Sequence, residues 1–212
     1  VLHAYGLEEG LNYSIIRPFN FIGPRIDYLP SEQTGNPRVF SHFMNALLYG
    51  TPIKLVDGGM NYRAYTYIDD AVDCIARIIE NRGGVCDRQI FNIGTPENEV
   101  TIRELANKMC ATFDKHFRQP GDPYPEIVSV SSEKFYGKGY EDCDRRIPDV
   151  TKVRSLVAWT SKHDLDSVLY HTMKYFVEKH RAKRAPSSNG TETCAKEISS
   201  SSRVSLGRRN AP

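Results

Sequence analysis

A short apolar run that halts at a proline and opens into a polar loop, Tyr13-Ser-Ile-Ile-Arg-Pro-Phe-Asn-Phe-Ile-Gly-Pro-Arg25, constrains this chain more than any other stretch. Near-continuous apolar runs of this kind mark strands of a parallel sheet, which is covered on both faces. In such sheets ligands bind in the crevice at the strands' carboxyl ends. Here that end carries Asn20 and Arg25.

Strand and helix patterns alternate along the rest of the chain. Val39, Phe43, Ala46 and Leu47 recur at helical spacing within residues 37–49, and Gly50 closes the run. Residues 53–56 read as a strand turned by Asp57-Gly58-Gly59, and residues 64–68 return as an extended segment. Asp69 is placed to cap a helix whose Ala71, Cys74, Ile75, Ile78 and Ile79 form one apolar stripe, ending at Asn81 before Gly83-Gly84. Residues 89–93 read as a strand, and Thr101 with Glu104 makes a capping box for a helix to about Phe113. Residues 126–130 read as a further strand and residues 136–148 as a loop, followed by helices over 150–159 and 165–178 that hold Trp159, Tyr175 and Phe176 as packing residues. The alternation predicts an α/β fold.

Composition bounds the setting. The chain has 212 residues, 40% of them apolar, enough for one domain with a real core. The net charge of +2 is uneven: residues 181–212 hold seven Lys/Arg against two Glu, and residues 1–180 hold 21 basic against 24 acidic. The basic stretch is broken by Pro186, Gly190, Ser201 and Ser202 and carries no aromatics, so it reads as a solvated, disordered tail rather than a nucleic-acid contact. The expected division is a folded unit over 1–180 and a tail over 181–212. Five cysteines, an odd number without C-x-x-C spacing, indicate neither a zinc site nor a disulfide framework and fit a reduced, cytoplasmic setting. No apolar run approaches a membrane span, and the first residues show no signal peptide.

Three motifs in order, RPFNFIGPR at 17–25, IKLVDGGMNYR at 53–63 and YGKGYEDCDRRIPD at 136–149, give the chain a resemblance to the extended short-chain dehydrogenase/reductase superfamily. Within it the chain is most similar to the UDP-glucuronic acid decarboxylases, a group that includes the decarboxylase half of the bacterial polymyxin-resistance enzyme and the plant UDP-apiose/UDP-xylose synthases. The likeness runs from about residue 5 to about residue 179. The first motif indicates only the superfamily; the third narrows it to this group. The family's glycine-rich dinucleotide loop, its Thr-Ser-Glu triplet and its Tyr-x-x-x-Lys pair precede the first motif and do not occur in this sequence. Residues 1–6 resemble the last turns of the helix that carries the Tyr-x-x-x-Lys pair. The resemblance therefore implies the carboxy-terminal part of a Rossmann-type extended short-chain dehydrogenase/reductase with its smaller substrate-binding region. It further implies NAD as cofactor, a UDP-sugar substrate, a homo-oligomer in the full-length enzyme, and no activity for this stretch alone.

The resemblance also assigns residues. The segment matching Lys54 to Arg63, which includes Asp57, lines the UDP site. A diphosphate needs charge-assisted donors, and Arg63 offers a planar fork and Lys54 a point charge; the alternative for both is a solvated surface cation. The asparagine matching Asn20 contacts the UDP-sugar, and its amide can both donate and accept; the alternative is an Asn capping its own turn. Tyr140 matches a substrate-binding tyrosine, and Arg146 matches the arginine assigned as proton donor in decarboxylation. A guanidinium is a poor acid, because its pKa exceeds about 12. On chemical grounds Arg146 is better suited to hold the glucuronate carboxylate and stabilise enolate charge. The alternative is a charged loop in which Arg145 and Arg146 pair with Glu141, Asp142 and Asp144.

The implied reaction is NAD-dependent oxidative decarboxylation of UDP-glucuronate to a UDP-4-keto-pentose, UDP-xylose or UDP-apiose. Two other readings stay open: another nucleotide-sugar epimerase or dehydratase, and a non-catalytic nucleotide-sugar-binding module. Gly137-Lys-Gly139 lacks a third glycine and a following helix pattern, so it is no dinucleotide loop. The acids at 141, 142 and 144 match no calcium loop, the six histidines show no metal or triad spacing, and no metal is expected.

Overall fold

A computed structural model describes residues 1–26, 28–30, 38–139 and 142–184. In chain order the elements are α1 (Leu2–Glu8), β1 (Ser14–Pro18), β2 (Phe21–Ile22), α2 (Val39–Tyr49), β3 (Ile53–Val56), β4 (Tyr62–Ala64), β5 (Thr66–Tyr67) and α3 (Ile68–Glu80). They continue with β6 (Gln89–Ile93), β7 (Glu99–Thr101), α4 (Ile102–His116), β8 (Ile127–Val130), α5 (Ser132–Tyr136), β9 (Arg145–Arg146), α6 (Thr151–Val157) and α7 (Leu165–Arg184).

Three pairs, β1 with β6, β2 with β5 and β3 with β8, are parallel, and each needs a crossover that the helices supply. A separate three-stranded ribbon has β4 at its centre, antiparallel to β7 and parallel to β9. The result is the α/β, Rossmann-type arrangement expected.

Local chemistry explains the element ends. At Gly50 the chain turns left-handed (φ 72°) as its N–H closes on the Ala46 carbonyl at 2.8 Å, which stops α2. The capping box forms at α4: Thr101 Oγ1 accepts from the Glu104 N–H at 3.0 Å, and Glu104 Oε2 accepts from the Thr101 N–H at 2.8 Å. That backbone bond is the main cause holding the Glu104 carboxyl below its usual range.

Several boundaries differ from the sequence expectation. Helix α3 starts at Ile68 with Tyr67 as its N-cap, so Asp69 sits in the first turn rather than capping it, where its charge still faces the positive helix end. The expected loop over 136–148 contains the end of α5 and the strand β9. Helix α7 runs to Arg184, past both the expected helix end at 178 and the expected domain end at 180, because Val177 and His180 prolong its buried face. The remainder of the basic tail, 185–212, lies outside the described residues.

Two clusters form the core. In the larger, α2, α4 and α7 pack over β3 through residues such as Phe40, Phe43, Leu55, Met109 and Phe176. In the smaller, α3 and α6 cover one face of β6 with Cys74, Ile78, Phe91, Val153 and Trp159. Strand β1 departs from the buried pattern expected of it: among the described residues it pairs only with β6, and Ile16 and Ile90 are 37% and 38% exposed. No helix among the described residues is long and apolar enough to cross a membrane.

Asp70 ties the two ends of the fold together. Its carboxylate, 3% exposed, accepts from the N–H groups of Lys162 and His163, each at 3.1 Å, and lies 3.0 Å from His163 Nδ1. Its carbonyl accepts from Trp159 Nε1 at 3.0 Å. Removing the carboxylate strands buried donors, so Asp70→Ala should destabilise the fold by roughly 2–4 kcal/mol. Urea unfolding measures this; a loss below about 1 kcal/mol would show that the loop holds without it.

Candidate functional site

Three of the candidate residues lie on or are tied to the β4 ribbon: Arg63 on β4, Arg146 on β9 and Asn20 through the Ala64 carbonyl. Strand β1 ends at Pro18, and the chain is then tied to two neighbours. The Phe19 N–H donates to the Ile93 carbonyl at 3.0 Å, and the Phe19 carbonyl accepts from Thr66 Oγ1 at 3.2 Å. That hydroxyl in turn accepts from the Thr95 N–H at 3.0 Å, so one buried threonine at the start of β5 links the exits of β1 and β6. Asn20 follows in the left-handed region (φ 43°), which asparagine tolerates. Its side chain does not cap its own turn: Nδ2 donates to the Ala64 carbonyl on β4 at 3.0 Å, while the Asn20 carbonyl accepts from the Thr66 N–H at 3.2 Å.

Two glycines permit this closeness. A Cβ at Gly23 would lie 2.1 Å from Cγ2 of Ile68, so the RPFNFIGPR loop can lie against the start of α3 only with glycine there. At Gly94 an added Cβ would meet Pro148 Cγ at 2.5 Å and Phe19 Cβ at 3.1 Å. This second approach brings the segment carrying Arg146 against the loop carrying Asn20.

Arg63 and Arg146 stand opposite each other on β4 and β9, and Tyr62 stands opposite Arg145. Arg63 is 7% exposed and its guanidinium is engaged inward. Nη1 donates to the carbonyls of Tyr62 at 2.7 Å and Cys143 at 2.8 Å, and Nη2 donates to Asp142 Oδ2 at 2.6 Å. It is thus neither a solvated cation nor an open fork. Arg146 differs: its side chain is 53% exposed, and its partner among the described residues is Asp142 Oδ1 at 3.3 Å. Arg145 is neutralised by Glu99, to which it donates at 2.6 and 2.8 Å, rather than by the nearby acids of its own segment. Those bonds are the main cause holding the Glu99 carboxyl below its usual range.

Lys54 and Asp57 sit apart from this group. Lys54 is exposed on β3, opposite Val128. Asp57, also left-handed (φ 45°), accepts the Ser132 N–H at 3.0 Å and so joins the turn after β3 to α5. Tyr140 lies outside the described residues. Asp142, which touches both arginines, entered the sequence reading only as one of three acids that could pair with Arg145 and Arg146; the structure forms its pair with Arg146 and adds one with Arg63. Tyr65, next on the chain, is unsuited to proton transfer because burial pushes its phenol upward. Two clefts of about 530 and 520 Å³ lie elsewhere, lined by residues such as Arg77 and Leu156 and by Arg154 and His163, and neither is lined by a candidate residue. Among the described residues no three His, Cys, Asp or Glu side chains converge as metal ligands would.

Residues 1–94 match the family described as the NAD dependent epimerase/dehydratase family. The crystal structure of the PbgP3 protein from Burkholderia pseudomallei is similar at a TM-score of 0.68 and 32% identity, over 84% of this chain and 51% of that one. The UDP-glucose 4-epimerase of Thermotoga maritima, solved with UDP-glucose, gives 0.65 and 27% over 84% of this chain and 50% of that one. The UDP-glucuronic acid 4-epimerase of Bacillus cereus, solved with UDP-glucuronic acid and NAD, shares the fold at 0.64 and 18% identity, over 84% and 49%. The chain spans about half the length of these solved structures.

The site's cysteine provides a check on its exposure. Cys143 is exposed next to Asp142, whereas Cys74 and Cys86 are buried and burial pushes the Cys74 thiol up to about 12. Iodoacetamide at pH 8 should therefore label Cys143 in the folded protein and leave Cys74 and Cys86 unmodified until denaturant is added. Peptide mass mapping reads this, and early labelling of Cys74 would show the α3 core to be open.

Proposed function

We propose that the protein carrying this chain acts on a nucleotide sugar with NAD, and that its reaction is oxidative decarboxylation of UDP-glucuronate. The observation that carries the reading is Arg146: a guanidinium 53% exposed, on the strand paired with β4, whose partner among the described residues is Asp142; Asn20 is tied to the same β4 through the Ala64 carbonyl. The match over residues 1–94 and the likeness to nucleotide-sugar enzymes support the substrate class.

Residues 1–184 suit the sugar side of such a site better than the dinucleotide side. No described strand here leads through a glycine-rich turn into a helix N-terminus: β1, β3, β6 and β8 exit at Phe19, Asp57, Gly94 and Ser131. The cofactor's phosphates are accordingly assigned to residues outside these. When bound, NAD supplies a hydride acceptor that converts the sugar C4 hydroxyl to a ketone β to the carboxylate.

Asn20, with its Nδ2 fixed on Ala64, presents its Oδ1 to a sugar or phosphate group. Lys54 and the turn at Asp57 provide a more distant face for the nucleotide, and Tyr140 is proposed as a further sugar contact. Arg146 receives the carboxylate as a bidentate fork. As the C5–C6 bond breaks, its electron pair enters the enolate, carbon dioxide leaves, and the charge passes to an oxygen within reach of the same guanidinium. Arg146 thus stabilises charge and orients the leaving group without giving up its own proton.

Carbon dioxide release from UDP-glucuronate with NAD+ tests this in the natural protein. Arg146→Ala should lower kcat by about 100-fold or more, in line with removal of a charge-stabilising donor. Sugar turnover without carbon dioxide release would move the protein to the epimerases or dehydratases, and ligand binding without turnover would favour a binding module.

A further inference from the structure

Adjacent strands place Arg63 and Arg146 directly opposite each other, about 5 Å apart at the backbone. Like charges so placed repel. One carboxylate resolves the conflict: Asp142 gives Oδ2 to Arg63 at 2.6 Å and Oδ1 to Arg146 at 3.3 Å, with Oδ1 also accepting the Cys143 N–H at 2.9 Å. The two halves of this bridge are unequal. The bond to Arg63 is short and its cation is buried; the bond to Arg146 is long and its cation is half exposed. Arg63 therefore fixes where Asp142 stands, and Asp142 in turn fixes where Arg146 points. With Arg145 cancelled by Glu99, the surplus positive charge of this strand pair resides on Arg146.

We propose that Asp142 is a positioning residue, whose carboxylate, anchored on Arg63, aims Arg146 at an anionic group of the ligand and so sets a preference for a carboxylated sugar nucleotide over a neutral one. The inference rests on the reading of Arg146 as the residue that holds the sugar carboxylate. It adds that this selectivity belongs to a pair rather than to one arginine. Without the charge at 142, the opposed guanidiniums repel, Arg146 swings outward, and its fork no longer meets the carboxylate in a bidentate geometry.

The test compares binding of UDP-glucuronate and UDP-glucose by calorimetry in the natural protein, with NADH present so that no hydride is removed. Asp142→Asn should weaken UDP-glucuronate by about tenfold or more, the scale of a lost charge-assisted bond, and change UDP-glucose by less than about twofold. A parallel fall for both ligands would show a merely structural role, and unchanged or tighter UDP-glucuronate binding would show that Asp142 does not aim Arg146; either result overturns the inference. Should Asp142→Asn fail to fold, Asp142→Ser carries the same comparison, with melting measured alongside. Equal wild-type affinity for the two ligands would remove the carboxylate role of Arg146 itself, and with it both the reading and the inference. A wild-type preference that the variants leave intact overturns the inference alone.

Discussion

The site depends on the burial of one guanidinium. A cation removed from water costs several kcal/mol unless its donors find partners, and Arg63 cannot shed its proton to escape that cost. Its acceptors come from two places: the Tyr62 carbonyl on its own strand, and Asp142 with the Cys143 carbonyl, some eighty positions further along. The second set is what makes the chain return. Once Asp142 and Cys143 are committed to Arg63, the Tyr62 N–H reaches the Asp144 carbonyl, and Arg145 and Arg146 are laid along β4 as β9. A polar segment with little apolar surface of its own is thereby fixed against the sheet by charge rather than by packing.

Alternation along that two-residue strand then separates structure from function. Successive side chains point to opposite sides of a strand, so two neighbouring arginines cannot serve one purpose. Arg145 turns to Glu99 on the far strand of the ribbon and closes a bidentate pair there. Arg146 stands opposite Arg63 and, among the described residues, pairs with Asp142. The exits of β1 and β6 are themselves joined by the single hydroxyl of Thr66, at the start of β5. The backbone that carries Asn20 out of β1 is thus tied to β4, β5 and the exit of β6 by several hydrogen bonds.

What the sequence revealed follows the range of the forces involved. Elements set by local chemistry were legible: the Thr101/Glu104 capping box and the Gly50 stop both depend on neighbours a few positions away. Elements set by distant partners were not. Strand β9 has no apolar alternation and exists because β4 is beside it; the length of α7 reflects a face buried under other helices; Asp70 carried no signal of its own, and its carboxylate serves a loop more than ninety positions away. The candidate residues divide in the same way. Motif order located Asn20, Arg63 and Arg146 in one place, but it could not say that Arg63 faces inward, because that is decided by Asp142 and Cys143. Lys54 and Asp57 share a motif with Arg63, yet the turn after β3 directs them elsewhere.

Among the described residues, the β1–β6 pair leaves Ile16 and Ile90 more than a third exposed and its outer edges unpaired. Electrostatic stabilisation by Arg146 grows as water is excluded, since the same charge pair is worth several times more at lower effective dielectric. An arginine 53% exposed can therefore meet an anion, and the attraction strengthens as the remaining solvent is displaced. Apolar packing against Ile16 and Ile90 would remove their exposed surface from water and stabilise the β1–β6 pair.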